Sequence, residues 1–226
     1  MHFMLLSTAE ENYLKAIFKI SEKRKGTVST KEISEIVETS AASVTDMLKR
    51  LAEKNLIRYE KYKGVNLTSL GLESATQLVR KHRIWEVFLL EKLNFGWEEV
   101  HDLAEQLEHI QSEELVDRLE EHLGFPKFDP HGDPIPDRRG VITVRNQLPL
   151  SNLGLNEWGV IVGVRNTDTE FLLFLEDIGL VLGKELSVMK KFDFDNTLMI
   201  KTRNGNKQTL SSKVAKNISV QLNAKK

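Results

Sequence analysis

The 226-residue sequence contains no cysteine. That excludes a disulfide framework, a thiolate nucleophile and any cysteine-based zinc site, and it fits a reducing, cytoplasmic location. No apolar run approaches the roughly 18 residues of a membrane span. The N-terminal stretch MHFMLLSTAEENYL lacks the basic start and long apolar centre of a secretory signal. Glycine-rich phosphate loops and the G-x-S-x-G nucleophile elbow are missing too, which argues against the common hydrolase and nucleotide-transfer chemistries. There is no internal repeat and no low-complexity segment. Proline is scarce, and four of the five prolines fall within GFPKFDPHGDPIPDRRGV, residues 124–141. That segment reads as a linker or an ordered extended arm, and as the clearest boundary in the chain.

What is present is unevenly distributed. The net charge of -1 conceals +5 over residues 1–83, -10 over 84–140 and +4 over 141–226. A basic head suits a polyanion, and an acidic middle suits cations.

Residues 7–22, STAEENYLKAIFKISE, begin with a Ser/Thr N-cap and carry Glu11 three residues after Thr8, a capping-box pattern. Tyr13, Ile17 and Ile20 then recur at helical spacing. Two short helices follow, over 30–38 and 43–55. After them comes a two-stranded hairpin, LIRYEKYKGVNLTSLG, with a turn at 63–64. Longer helices are expected at about 70–90, 97–110 and 112–123. Beyond Leu148 the pattern changes to short apolar runs separated by turns, GVIVGVR, FLLFLEDIGL, KELSVMKKF, TLMIKTRNGNKQTL and ISVQL. These read as a small β-barrel of about five strands.

Two short helices with a tight connection, followed by a basic hairpin, make a winged helix-turn-helix. Its second helix would present Ser40, Ala41, Ala42, Ser43, Thr45, Asp46 and Lys49 to a major groove. Lys49, Arg50, Lys61 and Lys63 would neutralise phosphates. Asp46 is unusual on such a surface, where it would either accept from cytosine N4 or repel the backbone. Val44, Met47, Leu48 and Leu51 pack inward. Such units also serve as protein-interaction modules.

The stretch HDLAEQLEH, residues 101–109, is the richest in chemistry. His101, Glu105, Glu108 and His109 stand at i, i+4, i+7 and i+8, so a helix would line them along one face. His82 and Glu86 form a further i, i+4 pair one helix upstream. Imidazole nitrogen and carboxylate oxygen without sulfur suit Mn, Fe or Zn. The bland alternative is a solvated acidic helix face, and for His82 and Glu86 an ion pair or structural metal. Zinc hydrolases use H-E-x-x-H. Here Asp102 follows His101 and the next histidine comes eight residues on, so an enzyme is not expected. His122 and His131 stand alone in surface-like contexts and are read as neither ligand nor catalyst. Glu113, Glu114, Glu120 and Glu121 read as a solvated acidic face. Ile84, Trp85, Phe88, Leu89, Trp97, Val100, Leu103 and Leu107 read as core and dimer interface.

The strings E-x-Y-L-x-x-I, S-V-T-x-M-L-K-R-L, L-T-x-x-G, R-K-H-R and H-x-x-x-E-x-x-E-H, in this order, resemble the diphtheria-toxin-repressor (DtxR/MntR) family of metal-dependent transcriptional regulators. The resemblance covers nearly the whole chain. It is strongest from Ser7 to Pro136, and the C-terminal part looks like the SH3-like, FeoA-type domain of the long members. It implies a mainly α fold: a winged helix-turn-helix at 1–71, a helical dimerisation and metal-binding domain with its proline-rich tether at 72–140, and an SH3-like β-barrel at 141–226. It implies a homodimer that binds double-stranded operator DNA in the cytoplasm and represses metal-homeostasis genes.

By position, the resemblance makes Glu105, Glu108, His109 and Asn12 the primary ligands. His82, Glu86 and His101 become an ancillary site, completed from the barrel by Glu170 or, second to it, Asp168. Glu105 stands where iron sensors of the family have cysteine and manganese sensors have glutamate. Mn(II) is therefore expected, with Fe(II) as the alternative and Zn, Co or Ni as substitutes. Asn12 stands where the family usually has Met or Asp. Lys15 replaces the second glutamate of short manganese sensors, which argues against a closely spaced two-metal cluster. The rival reading is a winged-helix regulator of another ligand, with the His/Glu cluster a structural metal site.

Overall fold

The computed structural model describes residues 5–23, 26–60 and 63–222. The chain divides into two compact units, one of residues 1–82, 105–116 and 136–142, the other of 83–104, 117–135 and 143–226.

The first unit is built on α1 (Thr8–Lys23), α2 (Thr30–Ile36) and α3 (Ala41–Glu53), with an antiparallel hairpin of β1 (Ile57–Glu60) and β2 (Gly64–Leu67). The helix starts follow from side-chain caps. Ser29 and Glu32 form a reciprocal capping box on α2, and Ser40 Oγ accepts from Ser43 N at the start of α3. On α1 the cap lies one residue earlier than the sequence pattern suggests. Ser7 and Glu10 exchange the bonds, at 3.3 and 2.9 Å. Thr8 is already helical, and Glu11 is left available for other partners. Leu14, Ile17, Ile33, Val44, Leu48, Leu51 and Val65 form one core and are essentially buried. Burying each such side chain contributes about 1.5–3 kcal/mol. Helix α4 (Ser69–Leu93) begins against the hairpin base. A Cβ on Gly71 would sit 1.8 Å from Leu56 O, so only glycine fits there.

The expected helix at 97–110 is shorter: α5 spans Val100–Leu107, and Glu108 and His109 lie in the turn that ends it. Helix α6 covers Glu113–His122. Its Glu120, expected on a solvated face, is buried, whereas Glu113, Glu114 and Glu121 are exposed as expected.

The second unit contains one six-stranded antiparallel sheet in the order β3-β8-β4-β5-β6-β7. Its strands are Leu148–Pro149, Trp158–Val164, Glu185–Lys191, Leu198–Thr202, Lys207–Leu210 and Ile218–Leu222 for β3 to β8. The sheet is open, so the expected closed barrel of about five strands is corrected: β3 and β7 are its two edges. The run FLLFLEDIGL is not a strand but mostly α7 (Thr169–Asp177). Leu172 and Leu175, three apart, turn into the core while Leu173 and Phe174 stay exposed, a helical pattern that a continuous apolar run hides. A short helix α8 (Ser212–Asn217) precedes β8.

The proline-rich segment is an ordered arm in its central part. Phe128 bridges Pro134, and Val164 N donates to His131 O at 2.9 Å. Gly132 has φ +90°, and a Cβ on it would meet Val162 O at 2.1 Å.

Candidate metal centres and nucleic-acid interface

In the first unit, α4 supplies His82 and α5 supplies Glu105, with Glu108 just past the α5 terminus. One ligand atom from each lies within 4.8 Å of the others. His82 Nδ1 is 2.6 Å from Glu108 Oε2, and Glu108 is fully buried. Into this cluster α1 inserts Lys15, whose Nζ donates to Glu105 Oε1 at 2.7 Å and to Glu108 Oε2 at 2.6 Å. It also lies 3.3 Å from His82 Nδ1. Burial alone would raise the Glu105 carboxyl. The charge and hydrogen bond of Lys15 outweigh it, with help from His82 and Lys19, and hold the group down at about 2.

His109 stands beside this cluster. Its Nδ1 is 2.6 Å from Glu11 Oε2, and its Nε2 is 3.8 Å from Glu108 Oε1. Gln111 Nε2 donates to the other Glu11 oxygen at 3.0 Å. Asn12, Lys15, Lys19 and Glu105 line a pocket of about 290 Å³ together with Val37 and Glu38. Among the described residues, Asn12 Oδ1 and Glu108 Oε1 are buried acceptors with no hydrogen-bond donor. Orphaned buried oxygens cost about 1–3 kcal/mol each unless a donor or a cation meets them. Two carboxylates, an imidazole and a carbonyl-type oxygen thus fit a divalent ion of hard to borderline character.

The second unit contains a further cluster. His101 Nδ1 lies 3.0 Å from Glu86 Oε1, and the Nδ1 of His131 approaches the same oxygen at 3.5 Å. Asp129 joins Glu86 and His131, all three buried, with ligand atoms within 4.8 Å of one another. His131 Nε2 faces Trp97 O at 3.3 Å, and its ring stacks on Trp97. That orientation aims Nδ1 at the carboxylates, as an outer-shell carbonyl does for a ligating histidine. Asp129 Oδ1 accepts from His131 N and Asp133 N at 2.8 and 2.9 Å, and Arg83 Nε is 3.5 Å from its Oδ2. Burial, followed by the charge of Glu86, pushes the Asp129 carboxyl up to about 8. Burial would lower the His131 imidazole, but hydrogen bonding and charge from Glu86 raise it.

The expected ligands are therefore redistributed. Glu105 and Glu108 come together as expected, and His82, expected with Glu86, stands beside them as well. Glu86 and His101 come together as expected. Glu170 lies exposed in the first turn of α7, and neither it nor Asp168 belongs to a ligand cluster among the described residues. The buried face of α7 is Leu172 and Leu175, which turns Glu170 to solvent. His131, read from sequence as isolated and surface-like, is 3% exposed. Only D-P-H-G next to the prolines hinted at an ordered turn there.

The exposed side of α3 carries Ser40, Ala41, Ala42, Ser43, Asp46, Lys49 and Arg50, with Thr45 half-buried. Asp46 Oδ1 pairs with Lys49 Nζ at 3.0 Å, which accounts for an acid on this face. Thr45 Oγ1 is turned back to Ala41 O. Lys63 pairs with Glu60 on the exposed hairpin, and Lys61 lies outside the described residues.

Three family profiles match: "Iron dependent repressor, N-terminal DNA binding domain" over residues 5–65, "Iron dependent repressor, metal binding and dimerisation domain" over 68–137, and "FeoA domain" over 148–222. A solved structure described as a manganese-dependent transcriptional repressor in complex with manganese superposes with TM-score 0.82 at 33% identity, over 93% of this chain and 98% of that one. The chain belongs to the DtxR/MntR family of metal-dependent transcriptional repressors. Within the family, the HTH-type transcriptional regulator MntR of Oceanobacillus iheyensis is 33% identical over 137 residues, 61% of this chain and 90% of that protein. The iron-dependent repressor IdeR of Mycobacterium leprae is 33% identical over 126 residues, 56% of this chain, and the match spans about half, 54%, of that relative. The DtxR/MntR family consists of regulators rather than enzymes. No helix among the described residues is long and apolar enough to cross a membrane.

Proposed function

We propose that this chain is a metal-dependent transcriptional repressor that acts as a cytoplasmic homodimer on double-stranded operator DNA of metal-homeostasis genes. Residues 1–71 read the DNA, 72–140 hold metal and pair the protomers, and 141–226 form the accessory FeoA-type domain. The ligands of the primary site are Glu105, Glu108 and His109, with Asn12 and His82. Glu86 and His101 form the second site, with Asp129 and His131 as its further ligands in place of Glu170. Mn(II) suits the hard oxygens best, Fe(II) is the alternative, and Zn(II), Co(II) or Ni(II) can substitute.

The observation that carries this reading is the convergence of α1 on the His82, Glu105 and Glu108 cluster. When bound, a divalent ion supplies concentrated positive charge beside two carboxylates. The rest is done by the protein. Asn12, Lys15 and Glu11 sit on α1, whose other face, Leu14 and Ile17, packs in one core with Ile33 of α2 and Leu48 of α3. A shift of α1 is therefore passed through that core to the DNA-reading helix. Ser40, Ala42, Ser43, Thr45, Asp46, Lys49 and Arg50 contact the major groove, and Lys61 and Lys63 of the hairpin contact phosphates.

The test is selection of binding sites from random duplexes by the full chain with Mn(II), then titration of the selected duplex with and without chelator. Metal-dependent binding is expected, and Glu108→Ala should lose it. A Glu108→Ala protein that responds fully to metal overturns the site assignment.

A further inference from the structure

The DNA-reading unit carries its own cation at the metal site. Lys15 Nζ touches Glu105 Oε1 and Glu108 Oε2 at 2.7 and 2.6 Å, and lies 3.3 Å from His82 Nδ1. These three residues make up the ligand cluster. Metal–oxygen bonds to such carboxylates are only about 2.0–2.2 Å long. An ammonium already bonded to both oxygens therefore occupies the space an ion would need. The Lys15 side chain is 5% exposed, so it is a built part of the cluster rather than a passing surface contact. Charge favours exclusion over coexistence. Two carboxylates and one ammonium sum to -1; a divalent ion beside the ammonium would leave +1, whereas a divalent ion in its place leaves zero. A destination for the ammonium is at hand, because Lys15 also lines the pocket that Glu38 lines.

We propose that Lys15 is an internal competitor: its ammonium holds the metal-free cluster together, and a divalent ion binds by exchange with it. This rests on the primary-site reading above. The apparent affinity is then the intrinsic affinity scaled by the fraction of protein whose cradle is open, so Lys15 sets the metal level at which the protein responds.

The experiment compares wild type, Lys15→Met and Lys15→Arg in the full-length protein, using Mn(II) calorimetry and thermal melts. Lys15→Met should tighten one class of Mn(II) sites by about tenfold or more. It should also lower the melting temperature of the metal-free protein and enlarge the rise produced by Mn(II). Lys15→Arg, which keeps the charge, should stay near wild type. A measurement on wild type alone covers failure of a variant to fold. Acetylation of Lys15, followed by mass spectrometry, should increase when Mn(II) is added. Unchanged Lys15→Met affinity, or Lys15 equally protected with and without Mn(II), overturns the exchange while leaving the metal site standing. Absence of Mn(II) binding in wild type and variant alike overturns both.

Discussion

At Asp129 a single carboxylate both caps a loop and faces a second buried acid. Its Oδ1 holds two backbone N–H groups, and its neighbour Glu86 and its burial push its pKa from 3.8 up to about 8. In the metal-free protein the folded state thus keeps a proton that the unfolded chain releases above about 4. Its contribution to stability is therefore lost progressively as pH rises from about 4 to about 8. Asparagine keeps the Oδ1 acceptor and cannot ionise. Metal-free Asp129→Asn should show a melting temperature that falls less than wild type's across that window, as thermal melts at stepped pH would record. Equal slopes would remove Asp129 from the account. Single residues were also where the sequence was least readable. Glu105 and Glu108 announced themselves by helical spacing. His131 did not, because its burial depends on a loop closing over Trp97, and periodicity says nothing about loops. The approach of His82 to Glu108, and the exposure of Glu170 on α7, depend on which way whole elements face.

At the scale of elements, the three N-terminal helices and their hairpin are almost fully legible, since caps, periodicity and turn residues all agree there. Helix α5 falls three residues short of its expected span at each end; at the C-terminal end Glu108 and His109 continue its polarity pattern after its hydrogen bonding stops. The run at 171–180 is mostly helix where a strand is expected, because a helix and a buried strand share the same apolar signature when short. The open sheet replaces the expected closed barrel because closure depends on strand tilt and stagger, which no local pattern carries. Two expectations belong to this scale. Lys49→Ala and Arg50→Ala on α3 should each weaken DNA binding and each reduce the slope of log affinity against log salt by about 1, measured by fluorescence anisotropy. A loss confined to a single DNA sequence would instead assign these side chains to base reading. Gly132→Ala should destabilise the protein by about 1–3 kcal/mol in denaturant titrations, since its φ is +90° and its Cβ would collide with the β4 backbone. It should also weaken the Glu86, His131 and Asp129 cluster while leaving metal binding at Glu105 and Glu108 intact.

For the whole molecule, the charge plan read from the sequence matches its parts. The basic N-terminal third is the part that matches the DNA-binding family profile, and the acidic middle supplies carboxylates to both candidate ligand clusters. The family profiles cover both parts and the C-terminal sheet. Occupancy of the Glu105 and Glu108 cluster is proposed to change how the recognition helices engage DNA. The decisive measurement is the affinity of the whole chain for its selected duplex at one salt concentration, with Mn(II) and then with excess chelator. The predicted result is a loss of about 5–150-fold on chelation, with Glu108→Ala weak under both conditions. Equally tight binding by wild type with and without metal would contradict it.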